Sequence, residues 1–335
     1  MPDNVSVIVP VWNGRAMVER LLGSLGAQTY PIAEVLVVDN GSEDGAPEAA
    51  EALGAKVVRM GHNAGFSRAV NRGIRECKSA WLALVNSDVE LEPTWLERLM
   101  AAVSPAVWFA AGKTLSAAHH QLIDGTYDTL SRGACAWRVG HGRPDGGEFS
   151  KPTMISFAPG TASLFRAALF ARAGMLDESF ESYLEDVEFG LRCASLGFHG
   201  QYVPDAVAYH VGSAGLGKWH AETVRRIARN QVFLVAKYYP LRLLFRLAWP
   251  VIVGQALWGV LAMRHGRFVA FLRGKLEGVM GFAAQRREAP AKRMEPLRLL
   301  QVLQASEKEI RDIQGRTGFD WYWRVYFALT AGGAD

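Results

Sequence analysis

Short apolar runs and helical stripes alternate along the first hundred residues. Val5-Ser6-Val7-Ile8-Val9 is a β-branched run that stops at Pro10. Arg15 to Leu25 then places Met17, Val18, Leu21, Leu22 and Leu25 on one helix face. Val35 to Val38 is the next apolar run, ended by Asp39-Asn40-Gly41-Ser42. The pattern goes on to predict a helix over 46–53, a strand over 56–59 and a helix over 64–77. A fourth strand over 81–85 and a helix over 93–103, with Pro93 in its first turn, follow. Strands that are apolar throughout imply a parallel sheet covered on both faces. Ligands of such sheets sit beyond the carboxyl ends of the strands. Three polar clusters fall there, along one edge: Pro10-Val11-Trp12-Asn13, Asp39-Asn40-Gly41-Ser42 and Asn86-Ser87-Asp88. Residues 113–157 lack a clear period and predict loops and a hairpin. Helices over 167–174 and 184–196 and short strands over 201–204 and 207–210 complete this half. Beyond about residue 215 the pattern is helical.

Composition sharpens this picture. Of 335 residues half are hydrophobic, and ten are Trp, which excludes a disordered chain. Three scattered cysteines (Cys77, Cys135, Cys193) with no CxxC exclude a disulfide framework or a zinc site of the common kind. No basic stretch followed by a long apolar run opens the chain, so no signal peptide is expected and a reducing cytoplasm is. The net charge of +4 conceals a split. Residues 1–215 hold 17 Lys and Arg against 24 Asp and Glu, and residues 216–335 hold 20 against nine. Two regions are therefore expected, 1–215 and 216–335. The second is basic and rich in Trp, Leu and Phe, which suits an anionic membrane surface better than nucleic acid.

Leu247 to Met263 carries no charge over 17 residues and is flanked by Arg242, Arg246, Arg264, Arg267 and Arg273. As one helix it would span roughly 26 Å at about 1.5 Å per residue. Three readings stay open: a single membrane-spanning helix, a buried helical hairpin, or an in-plane attachment with Trp249, Trp258 and Phe268 in the interface. The aromatic stretch Trp321 to Phe327 packs as a helix, meets a partner, or adds to a membrane face.

The polar clusters each admit chemistry and a plainer role. Asp39 can accept from a base N–H or from ribose hydroxyls, or can cap a turn. His62 to Arg68 opens a helix whose N–H groups favour anions, with Gly65 allowing close approach and Asn63 and Arg68 adding donors. The plainer role is a cap, with Asn71 in solvent. Asn86 and Asp88 offer hard oxygen atoms at a strand end. Glu185 and Asp186 stand in a first helical turn, where the helix dipole favours acids without any chemistry. His210 closes the last short strand. Gly212 to Lys218 imitates a phosphate-binding loop, but Trp219 replaces the Ser or Thr that holds magnesium.

Taken in order, VSVIVPVWNG, VLVVDNGSEDG, HNAGFSRAVNRGI, WLALVNSDVEL, GMLDESFESYLEDVEFGLRCASLGF and VPDAVAYHVGS resemble family 2 glycosyltransferases of the bacterial rhamnosyltransferase-like branch. The resemblance covers roughly residues 4–240. It implies a GT-A fold: a Rossmann-like, mostly parallel sheet with flanking helices, here with a helical, membrane-associating C-terminal region. It also implies that Asp39 binds the nucleotide, with Pro10 and Asn13 walling the base, and that Asn63, Gly65, Arg68 and Asn71 serve the donor. Asn86 stands where the family has the first Asp of its DXD motif. Asp88, completed by His210, would hold Mn²⁺ or Mg²⁺ against a diphosphate, and Asn86 would add an amide oxygen or hold the ribose. Asp186 would deprotonate the acceptor hydroxyl, with Glu185 binding the acceptor or orienting the base.

The expected reaction is inverting transfer from a nucleoside-diphosphate sugar, first deoxythymidine-diphosphate rhamnose and second a uridine-diphosphate sugar. The expected acceptor is a polyprenyl-diphosphate-linked glycan at the cytoplasmic face of the inner membrane. Two other classes compete. A nucleotidyltransferase would need a Gly-rich, basic loop where Pro-Val-Trp-Asn-Gly stands. An inactive sugar-nucleotide or membrane-binding scaffold is supported by Asn86 and opposed by the intact Glu185-Asp186 pair.

Overall fold

The structure, a computed structural model, describes residues 4–212, 219–288 and 295–331. The chain divides into two compact units: Met1–Asp128 with Arg138–Gly215, and Thr129–Trp137 with Leu216–Asp335. Residues 129–137, which the composition assigns to the first region, thus group with the second. Of the imitation phosphate loop, Gly212 to Lys218, all but Gly212 lies outside the described residues.

In the first unit β1 (Val5–Val11), α1 (Arg15–Gly26), β2 (Glu34–Asp39), α2 (Ala46–Ala52), β3 (Lys56–Arg59), α3 (Phe66–Glu76) and β4 (Trp81–Val85) alternate as the periodicity predicts. They pair in parallel in the order β3-β2-β1-β4, with Val11 opposite Asp39. Strand β1 is buried throughout, Ser6 included, because both its faces are covered. Val7 and Val9 join a core with Leu21 and Leu22 of α1, while Ile8 lines a cavity with Phe66 and Val70 of α3.

The parallel pattern stops at β4. After it come β5 (Val89–Leu91), α4 (Trp95–Ala101), β6 (Val107–Ser116), β7 (Ile123–Gly125), β8 (Asp128–Leu130), β9 (Ala136–Arg138), β10 (Thr153–Ile155), β11 (Ala162–Arg166), α5 (Ala167–Ala173), α6 (Glu185–Ser195) and β12 (His199–His210). Strand β11 enters antiparallel between β4 and β6. Strand β12 runs parallel to β6, with β5 and β10 antiparallel against it. The two short strands expected over 201–210 are one strand, irregular between Val203 and Val207, where Pro204 has no N–H to give. Helix α4 begins at Trp95, and Pro93 precedes it, its carbonyl accepting from the Thr29 N–H.

The second unit holds α7 (Ala221–Tyr238), α8 (Leu241–Arg246), α9 (Ala248–Arg264), α10 (Phe268–Arg287), α11 (Pro296–Thr317) and α12 (Trp321–Thr330). Its interior is partly polar. Arg132 and Glu307, both buried, pair at 2.8 Å, and the Tyr326 hydroxyl donates to Glu307 at 3.2 Å. The aromatic stretch expected near the C-terminus is α12, packed inward through Tyr322, Trp323, Tyr326 and Phe327. The uncharged run forms α9, but among the described residues no helix is long and apolar enough to cross a membrane. Trp258 and Phe268, which the in-plane reading puts at an interface, are half-buried and pack against Val224, Ala228, Ala262 and Phe271.

Candidate active site

The parallel strands deliver their polar ends to one edge. Asp39 is buried there, and its Oδ1 accepts the Ser42 N–H at 2.9 Å. Asn13, in the left-handed region at φ 60°, donates its N–H to Ser42 Oγ and accepts the Glu43 N–H on Oδ1, at 2.8 and 2.9 Å. Pro10 is buried inside β1. Asn40, which the motifs contain but which carries no expected role, is the tie between segments. Its Nδ2 donates to Asn63 Oδ1 at 3.1 Å and its Oδ1 accepts the Ala64 N–H at 2.8 Å. Asn63 Oδ1 also accepts the Gly65 N–H at 3.1 Å.

The start of α3 differs from expectation. The Phe66 N–H donates to Ser182 Oγ at 3.3 Å and the Ser67 N–H to the Glu181 carbonyl at 2.9 Å. Two of the N–H groups expected to meet an anion are thus taken by the segment that leads into α6. Gly65 permits that approach: at φ 93°, an added Cβ would stand 3.2 Å from the Glu181 oxygen. Arg68 and Asn71 also turn to this segment. Arg68 Nε is 3.3 Å from Glu178 Oε2. Asn71 is not in solvent; it is buried and bonded to Leu176 and Glu178.

Strand pairing assembles a second cluster. Val89 of β5 stands opposite His210 of β12, so Asp88 arrives beside the imidazole. Asp88 Oδ1 is 3.2 Å from His210 Nε2. On the other ring nitrogen, Nδ1 lies 2.7 Å from Asp124 Oδ2 of β7. Burial alone would lower the His210 pKa, but the two carboxylates outweigh it and raise it to about 9. Asn86 donates its N–H to the Thr161 carbonyl at 2.8 Å, and its buried Oδ1 has no hydrogen-bond partner among the described residues.

The fit of a divalent ion can be tested on these distances. Two adjacent ligands at right angles on an ion with bonds of about 2.1 Å lie about 3 Å apart. The Asp88–His210 separation of 3.2 Å matches that. A carboxylate on the far nitrogen is the usual support of a ligating His. The pair fits an ion as two ligands; among the described residues no group of three or more His, Cys, Asp or Glu is placed to hold one.

Asp186 stands in the first turn of α6. Its Oδ2 accepts the Gly160 N–H at 2.9 Å and its Oδ1 accepts the Val187 N–H at 2.8 Å. Glu181, Tyr183 and Leu184, just before it, all have φ between 59° and 73°, a strained setting for residues with side chains. Glu185 is buried, and desolvation, then Asp186, pushes its pKa well above the carboxylate range. Its Oε2 has no hydrogen-bond partner among the described residues. Arg138 of β9 binds Asp128 through Nε and Nη2, both at 3.1 Å, and lies 3.6 Å from Asp186 Oδ2. Burial of Asp128 outweighs Arg138 and raises its carboxyl.

Arg138, Asp124 and Asp128 come from the stretch whose sequence has no period. In the sequence nothing separates them from the other charged residues of that stretch, such as Arg143 and Asp145.

Residues 6–172 match the glycosyl transferase family 2 model. The chain is 26% identical over 249 residues to N-acetylglucosaminyl-diphospho-decaprenol L-rhamnosyltransferase of Mycobacterium tuberculosis, covering 65% of this chain and 79% of that one. In fold it is similar to GalNAc-T7, solved with UDP, GalNAc and Mn²⁺, at a TM-score of 0.63 and 14% identity, over 94% of this chain and 58% of that one. It is also similar to the mannosyltransferase PcManGT of Pyrobaculum calidifontis, solved with GDP-Man and Mn²⁺, at a TM-score of 0.52 and 16% identity, over all of this chain and 89% of that one. Motifs, fold and relatives agree: the chain belongs to glycosyltransferase family 2, on its rhamnosyltransferase-like side.

Proposed function

We propose that the protein transfers a sugar, with inversion, from a nucleoside-diphosphate donor to a hydroxyl of a polyprenyl-diphosphate-linked glycan, working at the cytoplasmic face of the inner membrane. Deoxythymidine-diphosphate rhamnose is the first donor to test and a uridine-diphosphate sugar the second. The donor choice is supported by the likeness to a decaprenol-linked rhamnosyltransferase.

The observation that carries the reading is the Asp186 carboxylate. One backbone N–H on each oxygen fixes its direction and leaves each oxygen a second lone pair. Such a carboxylate is suited to take the acceptor proton as the hydroxyl attacks the anomeric carbon. The proton goes to Asp186, the carbon–oxygen bond to the diphosphate breaks, and the diphosphate leaves with that electron pair. Arg138 holds Asp128 and faces Asp186, which keeps the neighbouring acids from repelling one another. Asp39 accepts from the base or ribose, while Asn13 and Asn40 brace the strand ends around it. Asp88 and His210, with the unpartnered Asn86 oxygen nearby in sequence, would hold Mn²⁺ or Mg²⁺. A bound divalent ion supplies charge compensation for a departing diphosphate.

The test is turnover of candidate donors with a polyprenyl-diphosphate glycan, on wild type and Asp186→Ala. Transfer should vanish in the variant while donor binding, read by thermal shift, persists. Transfer that survives in Asp186→Ala would overturn the assignment.

A further inference from the structure

Helix α10 is turned inside out. Its buried residues are Phe271, Gly274, Gly278 and Gln285, so glycines form the contact with α7. An added Cβ at Gly274 would stand 2.1 Å from the Arg225 carbonyl oxygen, and one at Gly278 2.6 Å from Val232 Cβ, both on α7. Only glycine lets the two helix backbones come so close. Five large aliphatic residues face the other way. Val269, Leu272, Leu276, Val279 and Met280 are all exposed, Met280 at 77%. At about 100° per residue they fall within about 100° of arc, one continuous stripe.

Helix α9 repeats the arrangement. Trp249, Ile252, Ala256, Val260 and Met263 are exposed at spacings of three and four. Helix α8 adds Leu241 and Phe245, the latter 81% exposed. Of the nineteen large apolar side chains left exposed among the described residues, eleven lie between Leu241 and Met280. A water-facing helix carries polar residues on this side. A concentration of this kind marks a binding surface.

Charge selects the occupant. Residues 241–288 hold seven Arg and one Lys against two Glu, and Glu277 is already paired with Arg225. Arg242, Arg264, Arg273 and Arg287 are exposed on the same helices as the apolar stripes, and Arg267 in the turn between α9 and α10. A second copy of this surface would bring like charges together. An anionic bilayer would bury the stripes and pair the arginines with headgroups. None of the described helices is long and apolar enough to cross, which leaves a helix lying in the interface.

We propose that α8, α9 and α10 are a monotopic docking surface for anionic phospholipid, seated through the stripes of α9 and α10. The surface deepens the proposed use of a lipid-linked acceptor, but vesicle binding requires neither donor nor acceptor.

The experiment is co-sedimentation of the full chain with vesicles of about one-third phosphatidylglycerol in phosphatidylcholine, and of phosphatidylcholine alone. Wild type should sediment with the anionic vesicles, less so as salt is raised. The Leu276→Glu/Met280→Glu variant should lose at least about tenfold in partitioning. Both substituted positions are exposed, and circular dichroism with a thermal melt checks that the variant is folded. Light scattering without vesicles gives the mass of each. Wild type that fails to bind, or a folded variant that binds like wild type, overturns the proposal. A wild-type dimer that the variant turns into a monomer, without vesicle binding, assigns the surface to a second copy and also overturns it. Donor turnover is followed separately, so a failure of glycosyl transfer would leave the vesicle result standing.

Discussion

The side chain of Asn71 closes a ring with the backbone of Leu176. Its Nδ2 donates to the Leu176 carbonyl at 2.9 Å, and the Leu176 N–H donates back to Oδ1 at 3.0 Å. The same Nδ2 reaches Glu178 Oε1 at 3.0 Å. An Asn on α3 thereby fixes the segment that delivers Asp186. Asn71→Ala strands a buried N–H and a buried carbonyl and should cost about 2–3 kcal/mol. Urea denaturation measures it. Asn71→Asp restores only the acceptor and should recover less than half. A loss under about 0.5 kcal/mol for the alanine would contradict the ring's role.

Glu185 sets a pH dependence. Its ordinary pKa is 4.5, and desolvation, helped by Asp186, raises it well above that in the folded chain. Between the unfolded and folded values the native state binds more protons than the unfolded one, so stability falls as pH rises through that window. Glu185→Gln keeps the shape of the neutral acid and removes the proton. The variant should match wild type near pH 4 and become increasingly more stable than it above about pH 5. Parallel unfolding curves for wild type and variant across that range would rule this out.

Asp124 supports His210 without being a proposed ligand itself. Asp124→Asn should leave the sheet intact but loosen the imidazole and lower its basicity. Manganese-dependent stabilisation by a nucleoside diphosphate should then need about 10–100-fold more metal. Titrating Mn²⁺ in a thermal-shift assay reads this. Asp88→Ala should abolish the manganese effect altogether, and an unchanged Mn²⁺ midpoint in Asp124→Asn would separate Asp124 from any metal role.

The buried Arg132–Glu307 pair ties residues 129–137 to α11 within the second unit. Glu307 Oε2 accepts from the Arg132 N–H at 2.8 Å as well as from the guanidinium. Glu307→Ala leaves a buried cation and should cost about 3–5 kcal/mol. Arg132→Met with Glu307→Leu removes both charges and should recover most of that loss. A double variant as unstable as the single one would show that backbone contacts, not charge, dominate.

How much of this was legible depends on period length. Strands β1 to β4 and helices α1 and α3 span enough residues for their apolar spacing to stand out, so their ends and polar clusters could be placed. Strands β7, β8, β9 and β10 have three residues each, too few for any alternation. Asp124, Asp128 and Arg138 sit in β7, β8 and β9 and were hidden for that reason. The contacts of Asn71 and Arg68 with the segment before α6 are not legible, because a helix N-terminus alone does not say whether an anion or a neighbouring loop takes its N–H groups. In α10 five aliphatic residues face out while Gly274, Gly278 and Phe271 face in, so periodicity marks a stripe without saying which side is buried.

Residues 129–137 lend the second unit a Gly133 N–H held by the Tyr326 hydroxyl and an Arg132 held by Glu307. Their partners are made nearly two hundred residues later on the ribosome. During synthesis this short stretch must wait, its arginine unmatched, until α11 and α12 have emerged. A stop codon at the apparent boundary near residue 215 would therefore yield a fragment with an orphaned cation and a buried-type cysteine left bare, and shortened chains that express poorly need not reflect any fault in the first unit's own sheet.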